Sequence, residues 1–580
     1  MTKSFEVKLN NKKITALYGE SVLDLAKRNN FHIPTLCYHS DLEPNGSCRL
    51  CLVEISCNRG GFFVATACNT TVTEGMEIKL DTPKVKRIRK LNLEMLLSDH
   101  IQKCSDCNWK YDCELKKLAK EFGVTESRFS ERRRKFKIDS KTPSIHWDSS
   151  KCIECGNCIS ACQQITGLDI LKTEYRGSSI VFGPKDGKSF ADTNCVFCGQ
   201  CILHCPAGSL QEKTELPEVE KLLEKKNKKN ILVAQFAPST RYSIGELFGL
   251  EPGINLEKKL ITALKHIGFD YVFDVNFGAD ITTLEEAAEL IERLESKKNL
   301  PMFTSCCPAW VRYVEIFHHE LIPNLTTTKS PTHCLACAVK SFFAKKIKVN
   351  PKRIINVAIM PCVAKKYEVK LPELKESYNP EINHSLTVRE IGRLIKKHNL
   401  DIENLADSDF DSPLGNSSGA GTIYGASGGV MESALRTVSS QLSDGKINKI
   451  DFSEVRGLDG IKSAVVEIDG IKLEVAVVSG LKNAAKLIKD LKSGVVRYNY
   501  IEVMACPGGC LGGGGQPIPT DSKIREKRKA GFYTDDKEKP IRKAHENNDV
   551  KKLYSALDSK PLEGRAGRLF HRKFTKRRKK

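Results

Sequence analysis

A chain of 580 residues that is 40% hydrophobic and 28% charged is too long for one hydrophobic core and too apolar to stay disordered, so several packed domains are expected and a single small module is excluded. No run approaches the roughly 18–20 uncharged apolar residues of a membrane span, and the opening MTKSFEVKLNNKK has neither a secretory core nor a transit-peptide composition, so a soluble cytoplasmic protein is expected. Lys plus Arg number 92 against 71 acids, a formal charge of +21, which favours an acidic partner.

In chain order, residues 1–83 alternate apolar and polar positions (Phe5, Val7, Leu9; later Ile78, Leu80) around a helix from Ser21 to Asn29, which predicts a small α+β module. Residues 84–149 open with a helical pattern, Val85–Ser98, and run into a charged stretch near Arg132–Arg134. Residues 150–215 hold two cysteine runs around a hairpin-like segment. Pro217 and a Lys/Asn-rich helix then read as a linker. From 229 to 519, β-rich runs (ILVAQFAP, YVFDV, NVAIMP, EVAVVSG, YIEVMAC) alternate with amphipathic helices, an α/β pattern with cysteines just after strand ends. Residues 520–580 are charged and loosely helical. The basic clusters Arg128–Lys137, Glu224–Lys229 and His571–Lys580 do not set interleaved aromatics on a recognisable recognition fold, so they read as solvated linkers or frayed ends and no nucleic-acid partner is expected.

The informative count is 23 cysteines; in a reducing cytosol, close CxxC spacings point to metal rather than to disulfides. Cys152, Cys155, Cys158 and Cys162 form CxxCxxCxxxC, and Cys195, Cys198, Cys201 and Cys205 repeat it before Pro206. In paired runs of this kind the fourth cysteine of each ligates the other cluster. One 4Fe-4S cube is therefore expected on Cys152, Cys155, Cys158 and Cys205 and another on Cys195, Cys198, Cys201 and Cys162, with two zinc sites as the competing reading. Cys37, Cys48, Cys51 and Cys68 fit four thiolates around a 2Fe-2S centre; Cys57 reads as a spare buried thiol. His100, Cys104, Cys107 and Cys113, spaced H-x3-C-x2-C-x5-C, suit a third accessory 4Fe-4S cluster or a Cys3His zinc site.

Three further segments, TSCCPAW at Thr304–Trp310, MPCVAKKYE at Met360–Glu368 and EVMACPGGCLGGGGQP at Glu502–Pro517, make the chain resemble the iron-only, or [FeFe], hydrogenases of the large type with accessory clusters. Read on their own, Cys307, Cys362, Cys506 and Cys510 are four thiols from separate loops of one domain, and the glycine run lets backbone come close to a bulky inorganic group. The resemblance implies that they hold the cubane of an H-cluster, with Cys510 bridging to a diiron half bearing CO, cyanide and an azadithiolate. It further implies that Lys365, Pro238 and Ser239 meet the cyanides, with Ser330, Met360, Met504 and Tyr424 around the diiron unit, and that Cys306, Glu286, Glu289 and Thr326 relay protons. Glu286 and Glu289 share one helical face. Tyr424 stands where the family usually has Phe, Thr326 where it has Ser, and Thr332 where it has Gln; Cys334 and Cys337 read as spare buried thiols on a helix.

The expectation is therefore a multidomain α+β and α/β protein: a plant-type ferredoxin-like module, a His/Cys3 module, a bacterial two-cluster ferredoxin-like module and a large α/β H-cluster domain. It would interconvert protons and H2, with a ferredoxin or flavodoxin as electron carrier and maturation proteins for the diiron unit, as a monomer or with redox subunits. A slow sensor or a non-catalytic Fe–S protein is the rival.

Overall fold

The computed structural model describes residues 4–57, 60–100, 104, 107, 109, 113–124, 128–129, 136–224, 230–374, 378, 380–443, 449–458 and 460–580. The N-terminal alternation folds as a five-stranded sheet in the order Lys12–Leu17, Ser4–Leu9, Glu77–Lys79, Leu52–Ser56, Phe63–Thr66. Val7, Leu9, Val53 and Ile78 point inward against Val22, Leu25 and Ala26 of the helix Val22–Arg28. That helix starts where Ser21 Oγ accepts the Asp24 N–H at 3.1 Å, an N-cap that satisfies one orphan donor.

The helix Pro83–Asp99 follows, capped by Thr82, and its buried Arg89 donates to the carbonyls of Leu52 and Leu80 at 2.6 and 2.9 Å, which fixes it to the sheet. In the two-run module, each cysteine run leads through a left-handed glycine, Gly156 or Gly199, into a short helix, Asn157–Gln164 or Gln200–Leu203. The expected hairpin is Leu171–Glu174 paired antiparallel with Val181–Pro184.

The large domain holds two four-stranded sheets. The first is wholly parallel, ordered Tyr271–Asp274, Ile231–Phe236, Ile354–Met360, His384–Thr387. The second is ordered Met302–Phe303, Tyr500–Met504, Ile471–Ser479, Gly460–Ile468, and only its last pair is antiparallel. Parallel strands buried on both faces read as unbroken apolar runs, which is why ILVAQF and NVAIM are so uniform. The helix Val275–Ser296 crosses the helix Pro331–Ala338 so closely that a Cβ on Gly278 would lie 2.1 Å from the Pro331 carbonyl oxygen. Among the described residues no helix is long and apolar enough to cross a membrane.

Three expectations are corrected. Cys57 is exposed, not buried, because it lies just past the end of the strand Leu52–Ser56. The supposed linker is a docked helix, Leu216–Glu224, with Val219 buried and Leu216, Leu222 and Leu223 packed on the core of the parallel sheet. The basic tail is not frayed. Arg577 pairs with the buried Glu315 at 2.6 Å and with Glu373 at 2.7 Å, and the Lys580 N–H donates to Asn194 at 2.7 Å. The Arg132–Arg134 stretch and residues 225–229 lie outside the described residues.

Candidate metal centre

Parallel strands send their chain ends to one edge, and ligands of such sheets bind outside the carboxyl ends of the strands. Here Ile231–Phe236 runs into Pro238 and Ser239, Met302–Phe303 into Cys306 and Cys307, Ile354–Met360 into Cys362, and Tyr500–Met504 into Cys506 and Cys510. All of these line one predominantly apolar cavity with about 710 Å³ of empty space, together with Met360, Lys365, Tyr424 and Met504. Cys307 is also the N-cap of the helix Pro308–Phe317.

Burial pushes every one of the four thiols upward, Cys362 to about 12, while the backbone N–H groups of Ala505, Trp310 and Ala309 point at the Cys307 sulfur. Four thiolates in a dry pocket are stable only around a cationic centre, and a coordinating metal deprotonates its thiols. The donor set therefore fits an iron–sulfur group. Much of the room around the glycine run is taken by protein: a Cβ on Gly513 would meet the Pro361 oxygen at 2.3 Å, and one on Gly514 the Cys198 oxygen at 2.5 Å. Those glycines seat the Cys506–Cys510 loop against both the Cys362 turn and the neighbouring cysteine run.

Lys365 is buried, which opposes its charge, but the Glu368 carboxylate 2.6 Å away outweighs this and holds the ammonium above its ordinary value. Its Nζ also donates to Ser330 Oγ at 2.8 Å, so Ser330 touches the cavity only through Lys365. Ser239 is fully buried and accepts from Gln516 at 3.3 Å. Thr332 lines the cavity and its hydroxyl lies 3.7 Å from the Met360 sulfur.

Glu286 and Glu289 sit on the buried face of the helix Val275–Ser296. Glu289 accepts from Thr326 Oγ1 at 2.8 Å, from the Thr327 N–H at 2.9 Å and from Arg293 at 2.5 Å. Burial pushes Glu286 up to about 8, and the charge of Glu289 adds to the shift. One Glu286 oxygen accepts from the Tyr424 hydroxyl at 3.3 Å, and the hydroxyls of Tyr500 and Tyr424 both oppose the rise. Burial also raises the Cys306 thiol, with Glu286 the next contribution.

The accessory thiols group as follows. Cys152, Cys155, Cys158 and Cys205 line one small apolar cavity, and Cys195, Cys198 and Cys201 each feel the charge of Cys162. Cys37, Cys48, Cys51 and Cys68 form one mutually interacting buried set. His100 Nδ1 donates to the Lys151 carbonyl at 2.9 Å, which in the neutral ring leaves the lone pair on Nε2, the arrangement second-shell bonds impose on ligand histidines. Cys113 is raised by burial and feels Cys107 and Cys104. Cys334 and Cys337 are fully buried on the helix Pro331–Ala338, as expected.

Residues 230–514 match the family described as iron only hydrogenase large subunit, C-terminal domain, and 522–577 the iron hydrogenase small subunit. Residues 2–83 match a 2Fe-2S cluster binding domain, 89–128 the NADH-ubiquinone oxidoreductase-G iron-sulfur binding region, and 151–209 a 4Fe-4S dicluster domain. The chain is 38% identical to NADP-reducing hydrogenase subunit HndD of Solidesulfovibrio fructosivorans over 99% of each. It is 39% identical to iron hydrogenase 1 of Clostridium pasteurianum over 96% of this chain and 97% of that one. The chain belongs to the iron-only hydrogenase family. A solved structure of apo [FeFe]-hydrogenase HydA1 from Chlamydomonas reinhardtii is 36% identical, with a TM-score of 0.57 over 62% of this chain and 99% of that one.

This hydrogenase thus carries 2Fe-2S and 4Fe-4S clusters beside its H-cluster. Around its cavity stand groups that sequence reading missed. Glu368, partner of Lys365, was signalled by its i, i+3 spacing. Thr327, whose hydroxyl donates to Glu289 at 3.1 Å, was signalled only by its position beside Thr326. Nothing local signalled that the Tyr424 hydroxyl reaches Glu286.

Proposed function

We propose that this hydrogenase interconverts protons and electrons with H2 at a cluster held by Cys307, Cys362, Cys506 and Cys510, with a ferredoxin-type protein as carrier. The convergence of those four thiols, Cys306 and Lys365 on one buried cavity carries the reading. When bound, the H-cluster supplies an open iron site in its diiron half, which bears CO, cyanide and an azadithiolate, where protons and electrons combine. Lys365, braced by its bond to Ser330, would hold a cyanide by a charge-assisted bond, with Pro238 and Ser239 at the other, and Met360, Met504 and Tyr424 would enclose the diiron half.

Protons pass along Glu289, Thr326, Glu286 and Cys306. Glu286, pushed up to about 8, is poised to both take and give a proton near neutral pH. Cys306, raised further by burial, stays a thiol and holds the last proton beside the diiron half.

The accessory set is one 2Fe-2S centre on Cys37, Cys48, Cys51 and Cys68, a 4Fe-4S cluster on His100, Cys104, Cys107 and Cys113, and two cubes that exchange Cys162 and Cys205. Several contacts support that wiring. His39 and His204, neighbours of Cys37 and Cys205, meet edge to face at 4.2 Å. Ser47 donates to the Cys155 carbonyl at 2.9 Å, and Arg312 to the Cys195 carbonyl at 2.8 Å. The excess of 21 positive charges suits a cytoplasmic acidic ferredoxin or flavodoxin, by steering. The full-length likeness to an NADP-reducing hydrogenase subunit supports a second arrangement, in which other redox subunits feed the N-terminal clusters.

Protein expressed with diiron maturation proteins is expected to show infrared bands of bound CO and cyanide and to evolve H2 from reduced viologen. Reduced ferredoxin should replace viologen at a rate that falls with ionic strength. Cyanide bands without turnover would overturn the catalytic reading, and turnover only with pyridine-nucleotide-linked subunits would overturn the ferredoxin assignment.

A further inference from the structure

A second, larger cavity, open to solvent, lies between the helical run that ends at Ser341–Lys346 and the C-terminal helix Gly564–Phe570 with the segment after it. Its charged lining is cationic throughout: Lys345, Lys346, Arg565, Arg568, Arg572 and Lys573 face it beside His571, and no acid does among the described residues. Lys345, Arg565 and Lys573 make no ion pair there among the described residues. Like charges gathered in a concavity repel, and such a site concentrates counter-anions.

A second observation points the same way. Arg572 is 8% exposed, yet its Nε and Nη2 have no hydrogen-bond partner among the described residues. Its nearest carboxylate, Glu373, is 3.7 Å away and already bonded to Arg577 at 2.7 Å. That one long ion pair compensates Arg572 only loosely, so its positive charge adds to the field of the cavity it lines. The wall is also built, not frayed: the Arg572 N–H donates to the Thr327 carbonyl at 2.8 Å and the Lys329 N–H to the Phe570 carbonyl at 2.7 Å. Opposite, the helix opens into a π turn, Val339–Phe343, which puts Ser341 and Phe342 on the lining; such turns are frequent at functional sites. Phe342, Leu557 and Leu569 supply an apolar side.

We propose that this cavity binds a small molecule bearing a polyphosphate, of nucleotide type, with its phosphates against Lys345, Arg565 and Arg572 and its ring system against Phe342 and Leu569. Cations on several sides call for a multiply charged anion rather than a lone carboxylate, and the concave apolar side calls for an attached ring rather than a flat protein face. Thr327 and His571 also line the cavity, 2.7 Å apart through Oγ1 and Nδ1. An occupant therefore covers the side from which Thr327 reaches Glu289, and slows turnover; this consequence rests on the proton-relay reading, while binding does not.

The test is calorimetric titration of full-length matured hydrogenase with ATP, tripolyphosphate and adenosine. ATP and tripolyphosphate should each saturate a single site and adenosine should not. The double variant Lys345→Glu, Arg565→Glu should weaken both by about a hundredfold with the circular dichroism and ligand-free viologen turnover of the parent. No saturable binding of ATP or tripolyphosphate, or equal binding by the double variant, overturns the site. ATP should lower the parent's turnover along the same saturation curve; saturable, variant-sensitive binding with unchanged turnover upholds the site and refutes its effect on the relay.

Discussion

Replacing Tyr424 by Phe removes a single hydroxyl next to the proposed relay and tests the reasoning about Glu286 directly. Glu286 is pushed up to about 8 by burial and by Glu289, and the hydroxyls of Tyr500 and of Tyr424, the latter 3.3 Å from its Oε2, oppose that rise by donating to the charged form. A bond of that length to a carboxylate contributes about 0.5–1 kcal/mol, and at about 1.4 kcal/mol per unit its loss raises the Glu286 carboxyl by a further ~0.5 unit. In H2 evolution the alkaline limb of the pH–rate profile should therefore move up by ~0.5 unit, with the rate below about pH 7 little changed.

The stability sign follows from linkage. The folded value of Glu286 lies above its unfolded value, so the carboxyl costs stability from about pH 4.5 upward, and the cost stops growing once pH passes the folded value near 8. Parent and Tyr424→Phe should thus melt alike below about pH 6, and the variant should be less stable by about 0.5–1 kcal/mol above pH 9. Viologen-driven H2 evolution and thermal midpoints, each measured across this range, supply both readouts. An alkaline limb that stays put or moves down would refute the link between Tyr424, Glu286 and proton delivery.

Other substitutions probe the remaining inferences. Cys205→Ser should disturb the electron paramagnetic resonance signal of the cube held with Cys152, Cys155 and Cys158 and spare that of the cube held with Cys195, Cys198 and Cys201; the reverse pattern would undo the fourth-cysteine exchange. Arg577→Ala strands the Glu315 carboxylate, 1% exposed, and should cost about 2–4 kcal/mol, read as a lowered thermal midpoint; an unchanged midpoint would mean the tail is not structural. Cys57→Ser, at an exposed thiol, should leave iron content and spectra as in the parent, and lost iron would make it a ligand.

The parts of this molecule readable from sequence are those whose chemistry is local. The helix at Ser21–Asn29 shows itself because an N-cap and an apolar stripe lie within one window, and the parallel strands because burial on both faces leaves no polar position in ILVAQF. Cys205 could be grouped with the Cys152 set because paired runs of this kind exchange their fourth cysteines, and the four thiols do line one cavity. The misread segments share the opposite property. The helix Leu216–Glu224 looks like a linker because Lys and Asn dominate the composition around it, while its Leu and Val contacts lie on strands that begin only at Ile231 and continue past Ile354.

The tail looks frayed for a similar reason: Arg577 is compensated by Glu315 and Glu373, 262 and 204 residues away. Composition can report a charge but not its partner. Tyr424 makes the same point inside the site, since a Phe-to-Tyr difference is a change of polarity until the fold brings Glu286, 138 residues earlier, within 3.3 Å. Thr326 is the converse. Glu289 also takes the Thr327 N–H at 2.9 Å and its hydroxyl at 3.1 Å, so the donors are redundant. The extra methyl at Thr326 changes little, because the carboxylate is held from several sides.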